Sequence, residues 1–425
     1  MRGNLLDELR QNGTEIQTNS THLWRYQGGG DAVTGRSRFF VRFFGSDQSY
    51  HQSFSSISAG RASESLNRLQ TVPSQEFGAA AQWAATWNEI TAVAGMDVRD
   101  VRATNVETQY ANGTPGTVTD ITARQRASGG YAELLWQHAP WSAALSGRVD
   151  DFRTFDAKKH VGGTLTNLAR TDEVVFNPRL GVVRKLGYGV SLSGSVFRAF
   201  RGPTLNELYR NSQVGQQLTL PNDSLRSERA TGFEFGAQKD MRAGTVRGSY
   251  FWTEVNRPVS ALLLNSTPTS QTLRRENLGQ IRSRGVSVDF VTQPASFLQL
   301  SGGYQLAIAT VTRFQPDPSL VGNWIPEVAR HAATLQLRAE HRRIGVLNLQ
   351  GRESGRLYDN SANSAVLHGF FRMDVEAERT FARRWDLAVT VQNLLDRRIE
   401  AGRTPTLTLA TPRVVTVSLR LHRSR

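Results

Sequence analysis

The strongest constraint on the fold of this sequence is an alternation of apolar and polar residues with a period of two, which runs from near Thr14 to the end of the chain. Successive side chains of a β-strand point to opposite faces, so this period predicts strands throughout. In clear stretches such as Phe370–Glu378 the polar face carries full charges, which the core of a β-sandwich could bury only at a large cost. A water-filled lumen accepts such charges. The pattern therefore predicts an all-β fold, an antiparallel transmembrane β-barrel meander, with about 18 strands by our count.

The last strand-like segment, Val414–Leu421, makes the expected orientation explicit. One face would carry Arg420 together with small polar residues, and we expect it to line the lumen. The opposite face is entirely apolar and should point outward, towards lipid; its residues are Val415, Val417, Leu419 and Leu421.

Composition excludes several other classes of protein. The net charge of +14 and the pI near 10.7 would suggest a nucleic-acid partner in a soluble protein, but the basic residues are almost all arginines scattered along the chain, so we expect no nucleic acid. The sequence contains no cysteine, and hence neither disulfides nor thiolate metal sites. It also contains no apolar run long enough for a membrane-spanning helix.

The connections between the predicted strands alternate in length. Short turns fall at 138–140, 186–189, 293–296, 342–344 and 382–384. Long polar loops are predicted near 102–127, 153–171, 202–227, 258–271, 312–329, 357–367 and 396–410. Outer-membrane barrels have short periplasmic turns and long extracellular loops. We therefore expect segment 202–227 at the loop end, opposite the turns at Pro140 and Pro294.

Two linked motifs occupy the middle of the chain: VFRAFRGPTLNELYR (Val196–Arg210) and PNDSLRSERATGFEFG (Pro221–Gly236). Pro203 should end the incoming strand, and Leu205, Leu208 and Tyr209 have the spacing of one short helical turn. The pair resembles the barrel signature of TonB-dependent outer-membrane receptors, with Gly202 and Ser227 as departures from that signature. Further stretches that resemble the family lie at 45–57, 68–83, 276–290, 325–337 and 391–399.

The resemblance implies a receptor and transporter barrel for the energised uptake of a scarce ligand, such as a ferric siderophore or cobalamin. The implied location is the outer membrane of Gram-negative type, in contact with lipid and lipopolysaccharide. Receptors of this family begin with a signal peptide, an energy-coupling box and a plug, followed by a barrel of about 22 strands. We therefore expect residues 1–425 to be one N-terminally truncated barrel domain without a plug, which would reach the TonB complex only through the missing part.

Candidate ligand contacts are aromatic and arginine side chains in the predicted loops, because these suit an anionic or aromatic ligand. They are Tyr209, Arg210, Trp324, Arg356 and Tyr358.

The sequence offers little for catalysis. Gly30–Ser37 nearly spells a phosphate-binding loop, but Arg36 stands at the essential lysine position and the next residues predict a strand. No Gly-x-Ser-x-Gly elbow occurs, and the eight histidines lack metal-ligand spacing. We expect neither an enzyme nor a cofactor. Two alternatives to a receptor remain open: a passive porin-like pore with an arginine-rich wall, and a non-transporting adhesin-type barrel.

Overall fold

A computed structural model describes residues 1–214, 216–267, 270–381, 384–404 and 406–421. In these ranges the strands, in chain order, are β1 (Arg2–Gln11), β2 (Thr18–Thr34), β3 (Ser37–Ile57), β4 (Glu64–Trp87), β5 (Ile90–Ala111), β6 (Thr114–His138), β7 (Trp141–Val161), β8 (Thr164–Asn167), β9 (Thr171–Gly187), β10 (Val190–Arg201), β11 (Ser212–Val214), β12 (Gln217–Leu220), β13 (Glu228–Met241), β14 (Gly244–Asn256), β15 (Val259–Ser266), β16 (Gln271–Asn277), β17 (Gln280–Ala295), β18 (Leu298–Arg313), β19 (His331–His341), β20 (Gly345–Ser354), β21 (Leu357–Tyr358), β22 (Val366–Leu367), β23 (Phe370–Phe381), β24 (Trp385–Gln392), β25 (Glu400–Gly402), β26 (Thr408–Leu409) and β27 (Val414–Leu421). The helices are α1 (Leu205–Tyr209) and two 3₁₀ turns, Ala59–Arg61 and Pro318–Leu320.

Eighteen of the strands in the described ranges form the wall of the barrel, each antiparallel to the next. The order of pairing is β1, β2, β3, β4, β5, β6, β7, β9, β10, β13, β14, β17, β18, β19, β20, β23, β24 and β27. β8 pairs with the upper part of β7, and the other eight strands form small sheets within loops. The predicted nearest-neighbour meander of about 18 strands is confirmed.

The two faces of the wall remain separate from strand to strand, because directly opposed residues of an antiparallel pair lie on the same face. One cross-strand row runs through Leu134, Leu145, Leu180, Val196 and Phe233. Large apolar side chains on this face are solvent-exposed, as expected for a surface that contacts lipid.

The last strand follows the same rule. Val417 pairs with Val389, and both belong to the apolar face, whereas Arg420 pairs with Asp386 on the other. The predicted orientation of the terminal strand is therefore confirmed, with Val415, Val417, Leu419 and Leu421 all exposed on the outward face.

Tight turns lie at one end of the wall, and the longer connections, together with the two-residue turn at 112–113, lie at the other. The turns at the first end are 35–36, 88–89, 139–140, 188–189, 242–243, 296–297 and 342–344. They alternate along the chain with the connections at the second end, which are 12–17, 58–63, 112–113, 162–170, 202–227, 257–279, 314–330, 355–369 and 393–413. Segment 202–227 thus lies at the end opposite Gly187, as predicted. In the short turn predicted at 382–384, residues 382 and 383 lie outside the described ranges. The stretch that resembles a phosphate-binding loop is the hairpin turn from β2 to β3, where Gly35 has a φ of 59°.

Three predicted loops are mostly strand: 258–271 contains β15, and the other two continue strands of the wall. β5 and β6 continue through most of 102–127 and meet at a tight turn at 112–113, and β7 extends to Val161. These extensions carry polar residues on both faces, as expected where a strand projects beyond the membrane into water, so the alternation that identifies a strand is lost. The first strand was also missed: β1 precedes the predicted start near Thr14, because adjacent Leu5 and Leu6 interrupt the period.

No helix in the described parts of the chain is long and apolar enough to cross a membrane.

Candidate functional site

The connection between β10 and β13, residues 202–227, folds inward and contacts β3 to β7 of the wall; we call it the inward loop. Arg210 in this loop donates a hydrogen bond from Nε to Oε1 of Gln70 on β4 (2.7 Å) and one from Nη2 to Oε1 of Gln52 on β3 (3.1 Å). Its guanidinium also lies 4.8 Å from the ring centroid of Tyr50. Gln125 on β6 donates to the Pro203 carbonyl (2.8 Å). The inward loop therefore forms a roof over the part of the lumen that β3 to β7 line.

The start of the inward loop is organised by a capping box. Pro203 ends β10, and the Thr204 backbone N–H donates to Oε2 of Glu207 (2.8 Å) while the Glu207 N–H donates to Oγ1 of Thr204 (3.2 Å). The predicted short helical turn is confirmed as α1. Arg201 pairs with Glu207 (2.9 Å) and with Glu228 (2.7 Å) at the other base of the loop. Burial raises the pKa of Glu207, but the hydrogen bonds from Arg201 and Thr204 outweigh burial and hold the pKa below its usual range.

Tyr209 anchors the end of α1 to the wall. It is buried with Leu208 and Leu225 of the same loop against Ala123 of β6 and Ala157 of β7. Burial, with a smaller contribution from the Asp223 carboxylate, raises the pKa of the Tyr209 phenol to about 12. Tyr209 therefore holds the roof in place and does not line the open lumen.

We expect the Tyr209 phenol to ionise near pH 12, above the ordinary tyrosine value of about 10. The raised pKa means that the docked loop favours the neutral phenol. The contribution of this phenol to the stability of the docked loop is therefore complete below pH 10 and is lost as the pH rises towards 12. The measurement is a tyrosinate absorbance titration of the wild type minus that of Tyr209→Phe. A difference curve with its midpoint near 10 would contradict the burial of this side chain.

A buried polar cluster fixes the inward loop to β4 and β5; we call it the wall clamp. It comprises Arg68, Gln70, Glu107 and Asn211. Arg68 Nη1 lies 3.3 Å from Glu107 Oε1, and Gln70 Nε2 donates to Glu107 Oε2 (3.2 Å). Asn211 of the loop donates from Nδ2 to both oxygens of that carboxylate (3.0 and 3.2 Å). The Arg68 and Glu107 side chains are only 10% and 5% exposed, so Glu107 is a buried acceptor shared by the wall and the loop.

A cavity of about 660 Å³ lies between the inward loop and the lumenal face of β2 to β7. Its charged lining residues are two arginines, Arg99 of β5 and Arg210 of the loop. The neutral lining residues are Thr21, Gln48, Tyr50, Val72, Ser74, Val101, Ala103, Gln125, Ala127, Phe152, Thr204, Leu205 and Asn206. Many of them offer hydroxyl or amide groups, so the cavity is polar and open to the lumen. Arg99 is paired with Glu76, whereas Arg210 has no carboxylate partner among the described residues.

The other predicted contacts lie in different loops. Trp324, between β18 and β19, packs edge-on against Tyr358 of β21 at 6.2 Å between ring centroids, and the Arg330 guanidinium lies 4.5 Å from the Trp324 ring. The Trp324 backbone N–H donates to Oδ1 of Asn363 (2.7 Å). Arg356 is exposed, and its guanidinium has no hydrogen-bond or ionic partner among the described residues.

The structure thus separates the five predicted residues. Arg210 lines the cavity, and its neighbour Tyr209 supports the roof from behind. Trp324 and Tyr358 form a second cluster, near Arg356 in the sequence. Sequence reasoning missed Arg99 and the wall clamp. Among the described residues, no group of three or more His, Asp or Glu side chains could hold a metal ion.

Comparisons with known proteins agree with this architecture. A family model described as "TonB dependent receptor-like, beta-barrel" matches residues 2–394. The fold is similar to the ferric yersiniabactin uptake receptor FyuA from Yersinia pestis (TM-score 0.76, 15% identity, 97% of this chain and 63% of that one). It is also similar to the copper transporter OprC (TM-score 0.75, 14% identity, 95% and 67%). A third similar structure is the pyoverdine outer membrane receptor FpvA from Pseudomonas aeruginosa (TM-score 0.72, 15% identity, 97% and 63%).

These structures are longer than the present chain, which spans about two thirds of their length. At identities near 15% the likeness concerns the fold.

Proposed function

The chain belongs to the TonB-dependent receptor-like β-barrel family, whose members are Gram-negative outer-membrane proteins, and from that premise we propose that it takes part in the energised uptake of a scarce ligand such as a ferric siderophore or cobalamin. The chain would supply the membrane-spanning wall and the loops that capture the ligand. TonB would supply the energy for transport, and lipid and lipopolysaccharide would surround the wall.

The cavity beneath the inward loop is the observation that carries the proposal. A polar pocket of about 660 Å³ at the loop end of a lumen has a size suited to a small ligand. Its roof belongs to a loop held by the hydrogen bonds of Arg210 and Asn211. The names of FyuA and FpvA, which describe receptors for yersiniabactin and pyoverdine, support a siderophore as the ligand class.

Within this function, Arg210 would contact the ligand directly, since its guanidinium lines the cavity. Trp324 and Tyr358 would offer an edge-on aromatic pair, and Arg356 an exposed charge, for a first contact nearer the cell exterior. Tyr209 would act only by holding the roof.

The test is growth of a strain that lacks this gene on a panel of ferric chelates and cobalamin as limiting nutrients. We expect growth to fail on one ligand only, and the same defect should appear when TonB is removed. If growth is normal on every ligand, and the purified barrel conducts ions steadily in planar bilayers, the receptor function is wrong and a porin-like pore is favoured.

A further inference from the structure

We propose that Arg99 and Arg210 form an anion-binding site in this cavity that recognises carboxylate oxygens of a small, negatively charged ligand. This inference rests on the proposed receptor function and specifies the chemistry of its ligand. It distinguishes an anionic carboxylate chelate from neutral ligands of similar size.

The partners of Arg210 give the first argument. Most arginines with described contacts in this chain face a carboxylate, as Arg68 does with Glu107. Arg210 instead donates to two neutral glutamine oxygens and lies against a tyrosine ring. Within the described part of the chain no carboxylate lies within ion-pair distance of it. A half-buried guanidinium without a counter-ion gains stability when an anion arrives, because its charge is already partly desolvated.

A second loop arginine adds to the positive potential behind Arg210. Arg275 of β16 donates from Nη1 to the carbonyls of Asn206 (3.0 Å) and Arg210 (3.2 Å), and from Nη2 to Ser212 Oγ (3.1 Å). All three acceptors are neutral. Burial lowers the pKa of Arg275; Glu207 opposes this and the Arg210 charge adds to it. Two neighbouring guanidinium groups in the roof are therefore bound to neutral acceptors only.

Arg99 faces the roof from the wall. Its Nε forms an ion pair with the Glu76 carboxylate, which orients the arginine and balances part of its charge, and 59% of the Arg99 side chain is exposed. Its two terminal nitrogens have no hydrogen-bond partner among the described residues, so they can donate as a fork to a carboxylate. Gln48 and Asn206 line the same cavity and could donate to further ligand oxygens. A cavity with arginines on two sides and amides between them suits a ligand with several carboxylate groups.

The test is binding to the refolded full chain in detergent micelles, measured by calorimetry. Ferric citrate serves as the carboxylate probe and ferrichrome as the neutral chelate probe. We expect ferric citrate to bind, ferrichrome to bind at least tenfold more weakly, and rising salt to weaken only the former. Arg99→Gln and Arg210→Gln should each weaken ferric citrate binding by about tenfold to a hundredfold.

Arg247→Gln is the matched control. Arg247 also pairs with a glutamate, Glu234 (3.6 Å), and is similarly exposed, but it does not line this cavity. Its substitution should leave binding unchanged. Because Arg210 also holds the roof, trypsin resistance of the inward loop is measured in each variant, and Arg99→Gln tests the site without altering a loop contact.

Three results would overturn the anion site: no binding of ferric citrate to the wild type, equal binding in Arg99→Gln, or equal binding of the neutral probe. None of them depends on the growth assay. If a strain needs this gene for growth on a neutral ligand, the proposed receptor function stands and the anion site is rejected.

Discussion

Replacing Glu107 by alanine is expected to release the inward loop from the wall at a cost of about 3–5 kcal/mol, because the substitution leaves the Arg68 charge buried without its partner. Asn211 and Gln70 would lose their acceptor at the same time. Proteolysis of an opened segment follows the equilibrium population of the open form. Trypsin cleavage within 202–227, which contains Arg210 and Arg226, should therefore accelerate by about a hundredfold or more.

The matched control is Glu340→Ala. Glu340 pairs with Arg338 (3.0 Å), but the two side chains are 62% and 41% exposed, so the cost should stay below about 1 kcal/mol and the cleavage rate should not change. Wild-type trypsin resistance in Glu107→Ala would mean that other contacts, such as the packing of Tyr209, hold the loop.

The course of the wall could be predicted from the sequence wherever one face of a strand meets lipid. In β27 and β23 the lipid requires apolar side chains at every second position and leaves the other positions free to carry charge. The alternation of apolar and polar residues is thus imposed by contact with lipid, and it ends where a strand leaves the lipid. The upper parts of β5 and β6 have water on both sides, so their sequences resemble loops although their backbones pair as strands.

The candidate site could be predicted only in part, because most of its residues carry no local sequence pattern. Arg210 and Tyr209 lie in a motif with a local signal, a proline followed by a capping box and helical spacing. Arg99 and Glu107 occupy lumen-facing positions of a strand that resemble many others. Their importance comes from a loop that lies about a hundred residues away in sequence, since Asn211 and Glu107 are 104 positions apart. No pattern within one strand encodes such a contact, and the partners become apparent only when the loop folds against the wall.

The strongest test of the two faces of the wall is Leu145→Arg, which we expect to destabilise the barrel by about 2–4 kcal/mol. Leu145 is 56% exposed on the apolar face and lies between Leu134 and Leu180. It is five residues beyond Pro140, at the tight-turn end. At about 3.3 Å per residue and a strand tilt of about 40°, this places it about 13 Å above the turn, near the middle of a 25 Å apolar band. An arginine there would be held in hydrocarbon.

The adjacent substitution, Ser146→Arg, is the matched control, because Ser146 lies on the lumenal face opposite Glu133. An arginine at 146 would point into water between Glu133 and Arg179 of the neighbouring strands, so attraction and repulsion offset each other and we expect a change of less than about 1 kcal/mol. The measurement is the free energy of unfolding by urea titration in phospholipid vesicles. Equal costs at 145 and 146 would mean that both faces meet the same medium, and a larger cost at 146 would reverse the assignment of lipid and lumen for the whole wall, because the cross-strand register links every strand to this pair.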